Sequence, residues 1–254
     1  MQKTIIKELD KIEKSRGVKI ILAIESGSRA WGFPSNDSDY DVRFIYVNPK
    51  DWYLTIAEKR DVIELPIDDL LDINGWDLQK ALKLMRKSNP PLFEWLSSPI
   101  QYKVVEQESD KLLELSRQSF LPETTCYHYL SMTKRYVSEI EKSRTVKLKT
   151  YMYAIRSVLC CKWIVTYMTQ PPMNIFDLLD KTSDDNAFID TVNQLVEEKS
   201  KHSEGYRVKH YDLIDTNINK IIHETQNNMP ENPERPDIEI YDDVFRSILN
   251  RGTI

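Results

Sequence analysis

Residues 19–47 read KIILAIESGSRAWGFPSNDSDYDVRFIYV, and the order of the parts in this stretch decides the fold. Lys19 to Ile24 is a short, nearly continuous apolar run rich in β-branched residues, which is the composition of a buried strand. YDVRFIYV, at 40–47, alternates Val42, Phe44 and Tyr46 against Asp41, Arg43 and Ile45, the period of a second strand. The link between them, ESGSRAWGFPSNDSD, is rich in turn residues. Gly27 and Ser28 therefore stand at the end of one strand, and Asp39 and Asp41 at the head of the next.

Outward from this pair, the N-terminal side carries Ile5, Ile6, Leu9 and Ile12 at helical spacing until Gly17 stops the helix. On the C-terminal side, RDVIEL at 60–65 predicts a third strand. Pro66 and an acidic turn lead to a returning strand, LLDI at 70–73, which Asn74-Gly75 is expected to end. DLQKALKLMRKS at 77–88 predicts a helix that Asn89-Pro90-Pro91 breaks, and a short helix and strand follow in FEWLSSPIQYKVV. Beyond about residue 106 the period is helical almost throughout, and MPENPERPD at 229–237 links to a last short helix. The expected class is α+β: a mixed α/β catalytic domain over 1–105, then a helical domain over 106–254.

The chain has 254 residues, 30% charged and 41% apolar, with a net charge of −5. That composition is globular and does not describe a general polyanion binder. Cys126, Cys160 and Cys161 are odd in number and two are adjacent, so no disulfide framework is expected. The four histidines fall at no zinc-ligand spacing. With no signal-peptide pattern and no apolar run of membrane length, a cytoplasmic protein without a membrane partner is expected.

Read singly, Gly27-Ser28 is a strand-to-helix turn and NDSD is a common loop composition. In order on one strand pair they acquire chemistry. A glycine lets backbone approach a ligand, and N–H groups with a serine hydroxyl hold phosphate oxygens. Asp39 and Asp41, two apart on a strand, point to one face about 6–7 Å apart. Their mutual repulsion suits a hard divalent cation, Mg²⁺ or Mn²⁺, as cofactor. A third acid from a neighbouring strand completes such a site as metal ligand or as base; Asp72 is preferred and Glu64 competes. On the helix around 147–165, Lys149, Tyr153 and Arg156 share a face, so Lys149 and Arg156 are candidates for clamping a triphosphate, alongside Arg29 and Arg43 near the motifs. Trp31, Trp76 and Trp95 read first as packing residues and second as base-stacking platforms.

Gly-Ser, a short gap, then Asp-x-Asp on a strand resembles the DNA polymerase beta-type nucleotidyltransferase superfamily. The string ESGSRAWGFPSNDSDYDVRFIY, with GWDLQKALKL, SNPPLFEWLSSP and KLKTYMYAIRSVL, is similar to a bacterial and phage group within it that includes RNA-repair-associated members. The resemblance implies a mixed sheet flanked by helices and followed by a helical domain. It implies transfer of a nucleoside monophosphate from an NTP substrate, ATP among them, to an acceptor. Gly27 and Ser28 would contact the triphosphate, and Asp39, Asp41 and a third acid would hold metals. The acceptors to consider are an RNA end, a protein hydroxyl or a small molecule, with Lys142, Arg144, Lys147 and Lys149 offering a local basic patch. The alternative is a non-catalytic, antitoxin-like binding or regulatory protein on the same fold.

Overall fold

The computed structural model describes residues 1–66 and 70–251. The acidic turn expected after Pro66 lies outside the described residues. In chain order the elements begin with α1 (Gln2–Arg16), β1 (Lys19–Glu25), α2 (Gly27–Trp31), β2 (Tyr40–Val47), α3 (Lys50–Tyr53), β3 (Val62–Glu64) and β4 (Leu71–Asp77). Then come α4 (Leu78–Met85), α5 (Pro90–Leu96), β5 (Gln101–Val104) and α6 (Glu106–Ser119). The helical part holds α7 (Pro122–Glu141), β6 (Val146–Lys147), α8 (Leu148–Tyr167), α9 (Ile175–Thr182), α10 (Asn186–Lys201), β7 (Arg207–Val208) and α11 (Asp212–Asn227), and α12 (Ile238–Arg251) ends the chain. The mixed α+β class is as the sequence predicts.

Five strands form one mixed sheet in the order β3-β4-β2-β1-β5, with β2 and β4 parallel and the other neighbours antiparallel. The even residues of β2 and the odd ones of β4 supply a core face: Val42, Phe44, Tyr46 and Ile73 pack with Ile20 and Ala23 of β1 against Ile5, Leu9 and Ile12 of α1. Each of the Val, Leu, Ile and Phe side chains among them contributes about 1.5–3 kcal/mol on burial. Side chains alternate along a strand, so Asp41, Arg43, Asp72 and Trp76 lie on the opposite face. Trp76 stacks there on Trp95 of α5, with ring centroids 3.8 Å apart, which places α5 on the face that carries the acids.

β4 runs to Asp77, through the Asn74-Gly75 pair that was expected to end it. Gly75 pairs in register with Phe44, and a Cβ built on it would stand 2.2 Å from the Phe44 ring. The dipeptide that usually marks a turn is here a space for an aromatic ring. Asp77 then caps α4, accepting from Gln79 N at 2.8 Å. It is 1% exposed and also accepts from Tyr53 Oη at 2.7 Å and Asn48 Nδ2 at 2.9 Å. Desolvation raises the Asp77 carboxyl above its ordinary pKa, against the pull of those donors.

Contacts divide the chain into two units that differ from a cut at residue 105. The first comprises Met1–Gly27, Asp39–Phe120 and Glu234–Ile254, the second Ser28–Ser38 and Leu121–Pro233. In the first, α6 packs on β1 and α5. The chain end returns to it as well, where Tyr241 of α12 shares a 2.7 Å hydrogen bond with Ser119. In the second, α8 is buried on nearly every side, consistent with its apolar composition, and packs against α7, α9, α10 and α11. Cys126, Cys160 and Cys161 are buried and form no disulfide among the described residues. No helix among the described residues is long and apolar enough to cross a membrane.

Candidate active site

In the first unit the Asp-x-Asp stretch begins just before β2: Asp39 precedes the strand, exposed, and Asp41 is the strand's second residue. The parallel neighbour β4 sets Asp72 directly beside Asp41. Arg43, two residues on and on the same face, joins them. Its Nη2 is 2.9 Å from Asp41 Oδ1 and 2.7 Å from Asp72 Oδ2, and Nη1 donates to the Asp72 carbonyl at 3.0 Å. One guanidinium thus neutralises two half-buried carboxylates. Glu64, the competing third acid, is instead exposed on edge strand β3, where it pairs with Arg60 and accepts from Asn74 Nδ2 at 3.2 Å.

Gly27 and Glu25 fix the other side of Asp41. Gly27 has φ +60°, and a Cβ there would stand 2.1 Å from Asp41 Oδ2, so the Asp41 carboxylate lies directly over the glycine. Glu25 is fully buried; its Oε1 accepts from Asp41 N at 2.8 Å and its Oε2 from the Tyr102 hydroxyl. Ser26 N donates to Asp41 O at 2.8 Å. Gly27→Ala is expected to push the Asp41 carboxylate aside and to add about 1–2 kcal/mol of left-handed backbone strain. The check is a melting curve beside a nucleotide-transfer assay: transfer should fall much further than stability.

The chain enters the second unit at Ser28. Ser28 is buried, with Oγ 3.1 Å from Ser38 Oγ. Arg29 Nη2 donates to Ser38 O at 2.6 Å. Polar groups from α10 and the segment after it hold this loop: Lys199 Nζ donates to Ser35 Oγ at 2.7 Å, His202 O accepts from Asn36 N at 3.4 Å, Glu204 N donates to Asp37 Oδ1 at 2.9 Å, and Glu204 Oε1 lies 3.5 Å from Ser38 Oγ. Lys149 pairs with the same Glu204 at 2.8 Å. Arg156 is 4% exposed; its Nε donates to Met173 O at 3.1 Å and its guanidinium lies 4.5 Å from the Trp31 ring centroid. Trp31 also meets Tyr153 edge-on. Lys149 thus stands in a half-exposed ion pair, and Arg156 packs inside the helical unit.

Sequence reasoning missed Glu25, Lys199 and Glu204. Glu25 carried a signal, a lone charge closing an apolar strand; Lys199 carried none, as one lysine among many in an amphipathic helix. Lys199 is 2% exposed, and burial lowers its pKa to about 8, with Glu204 and Asp37 opposing and Lys149 assisting. The folded value lies below the unfolded one near 10.4, so the unfolded chain binds more protons between pH 8 and 10.5, and stability gains with rising pH there. Thermal melts should show a gain of about 3 kcal/mol at most in wild type relative to Lys199→Met across that window. Parallel pH profiles would rule this out.

A mixed sheet with Gly27 against Asp41, and Asp41 beside Asp72 on parallel strands, is that of a polymerase beta-type nucleotidyltransferase fold. The chain belongs to the RNA repair pathway DNA polymerase beta family, RlaP, which matches residues 1–247. It is 49% identical over 204 residues to the uncharacterized protein YcgL of Bacillus subtilis (strain 168), covering 80% of this chain and 78% of that one. A nucleotidyltransferase-like protein from Exiguobacterium sibiricum 255-15 aligns over 89% of this chain and 74% of its own, at 10% identity and a TM-score of 0.32. A score that low leaves the fold to rest on the sheet and the family.

Proposed function

We propose that this protein is a metal-dependent nucleotidyltransferase that moves a nucleoside monophosphate from an NTP to an acceptor hydroxyl, with an RNA end as the acceptor. The observation that carries the reading is the pairing of Asp41 with Asp72 on parallel strands, with Gly27 beneath the Asp41 carboxylate.

Two hard carboxylates side by side suit Mg²⁺ or Mn²⁺. Among the described residues no three His, Cys, Asp or Glu side chains already form a metal cage; the guanidinium of Arg43 joins the pair. The fit therefore requires Arg43 to yield its place and Asp39, two residues ahead of Asp41, to add a carboxylate. A bound divalent cation supplies charge stabilisation to the oxygens of phosphoryl transfer. In this reading Gly27, with Ser28 next to it in the chain, presents backbone to the triphosphate. Asp72 takes the proton of the attacking hydroxyl. The acceptor oxygen bonds to the α-phosphorus, and pyrophosphate leaves with the electrons of the broken P–O bond.

The test is incubation with α-phosphate-labelled NTPs, Mg²⁺ and either RNA or lysate. Label on RNA supports the reading; label on protein alone moves the acceptor to a protein hydroxyl. The same Arg43 bridge favours a second reading, a non-catalytic member in which the acids form a permanent ion pair. No label under any acceptor, together with a stoichiometric co-purifying protein, would establish that one.

A further inference from the structure

Within the first unit, α4 and α12 border a cavity of about 440 Å³, in the range of small-molecule sites. Four cations converge on it: Lys83, Arg86 and Lys87 from α4 and its end, and Arg235 from the proline-rich segment before α12. All four are exposed. Lys83 donates to Gln79 Oε1 at 3.0 Å. The side chains of Arg86, Lys87 and Arg235 make no hydrogen bond or ion pair among the described residues. Asp242 is the one acid in the lining, and Leu82, Ile238 and half-buried Phe245 form an apolar floor. Basic residues in a last helical turn answer the helix dipole, but that does not account for Arg235, which comes from a different segment. In a chain of net charge −5, a groove with four cations and one acid is complementary to a polyanion.

Its place in the fold favours a strand over a free ion. β4 carries Asp72 at one end, and α4 starts at the other. By Ser98–Gln101 the chain is back beside Glu25, since Ser98 Oγ donates to Glu25 O at 2.6 Å and Gln101 pairs with Ile24. α4 and α5 thus span the sheet from the far end to the end that bears Asp41 and Asp72. α5 lies on the face of those acids, and α4 packs on β2 and β4.

We propose that the α4–α12 groove binds a single-stranded nucleic acid, with its phosphates on Lys83, Arg86, Lys87 and Arg235 and a base against Phe245. That the strand is RNA rests on the acceptor reading above; the groove itself does not need catalysis.

The test is fluorescence anisotropy of the full chain with a 5′-fluorescein 20-nucleotide RNA of mixed sequence, titrated at several KCl concentrations. The triple variant Arg86→Gln/Lys87→Gln/Arg235→Gln should bind at least about tenfold more weakly at 0.1 M salt, with a salt slope smaller by about 2, as three lost phosphate contacts on a single strand require. Asp242→Asn should tighten binding. Because the three side chains are exposed, the triple variant should melt like wild type and keep any Mg²⁺–NTP stabilisation. Equal RNA binding by wild type and triple variant overturns the proposal. So does tighter, groove-dependent binding of polyglutamate, which would assign the groove to an acidic protein segment. Groove-dependent RNA binding without nucleotide transfer supports the groove and counts against the catalytic reading alone.

Discussion

Asp41→Asn is expected to remove the stabilisation that Mg²⁺ with NTP confers and to lower nucleotide transfer at least a hundredfold. Ligand at about 100 times its dissociation constant stabilises a fold by about 2.7 kcal/mol, so wild type should melt several degrees higher with Mg²⁺–NTP. The amide is neutral and keeps an oxygen toward Arg43, so the half-exposed ion pair costs only about 1 kcal/mol when it is weakened, and the unliganded variant should melt close to wild type. Asp72→Asn should behave alike. The informative partner is Arg43→Gln. It leaves Asp41 and Asp72 side by side with no counter-ion, and like charges disfavour ionisation of both. If a divalent cation binds in exchange for the guanidinium, Arg43→Gln should gain more from Mg²⁺ alone than wild type does. Differential scanning fluorimetry over a Mg²⁺ series decides this. Identical responses in wild type, Asp41→Asn and Arg43→Gln would exclude metal binding at this pair and favour the non-catalytic reading.

Gly75→Ala is expected to destabilise the first unit by about 3 kcal/mol, the upper range for an overpacked core, and to lower Tm by roughly 5–10 °C. The added Cβ would stand 2.2 Å from two carbons of the Phe44 ring, and Phe44 is 1% exposed among close-packed neighbours. The ring has nowhere to go without displacing Tyr46 or Ile73 of the same cluster. Phe44→Leu should suppress the effect, so the double variant loses less than the two single ones together, a coupling that a double-mutant cycle measures directly. An additive cycle would mean that the strand gives way at the backbone and not at the ring.

Much of the fold was legible because period and composition are local properties. KIILAI and YDVRFIYV became β1 and β2, and Asp77 and Asn89 cap α4 and α5 where the pattern changes. Asn74-Gly75 misled for the same reason. Locally the pair is a turn signal, and only the ring of Phe44 on the neighbouring strand explains a glycine inside β4. The packing of α6 on β1 was hidden similarly, since α6 reads as the first of many helices and nothing local records its neighbour.

By itself the sequence determined the α+β class, the strand pair that carries Gly27 and Asp41, and the alternation that sends Asp41 and Arg43 to one face. These follow from nearest-neighbour geometry along one chain. Only the tertiary structure decided that Asp72 and not Glu64 stands beside Asp41, that Arg43 bridges the two, that Glu25 and Lys199 are buried, and that Arg235 joins the basic end of α4. Each of these depends on which strand or helix lies alongside which. Sheet order and packing across long sequence separations settle that, and the pattern within a strand carries no record of its neighbour.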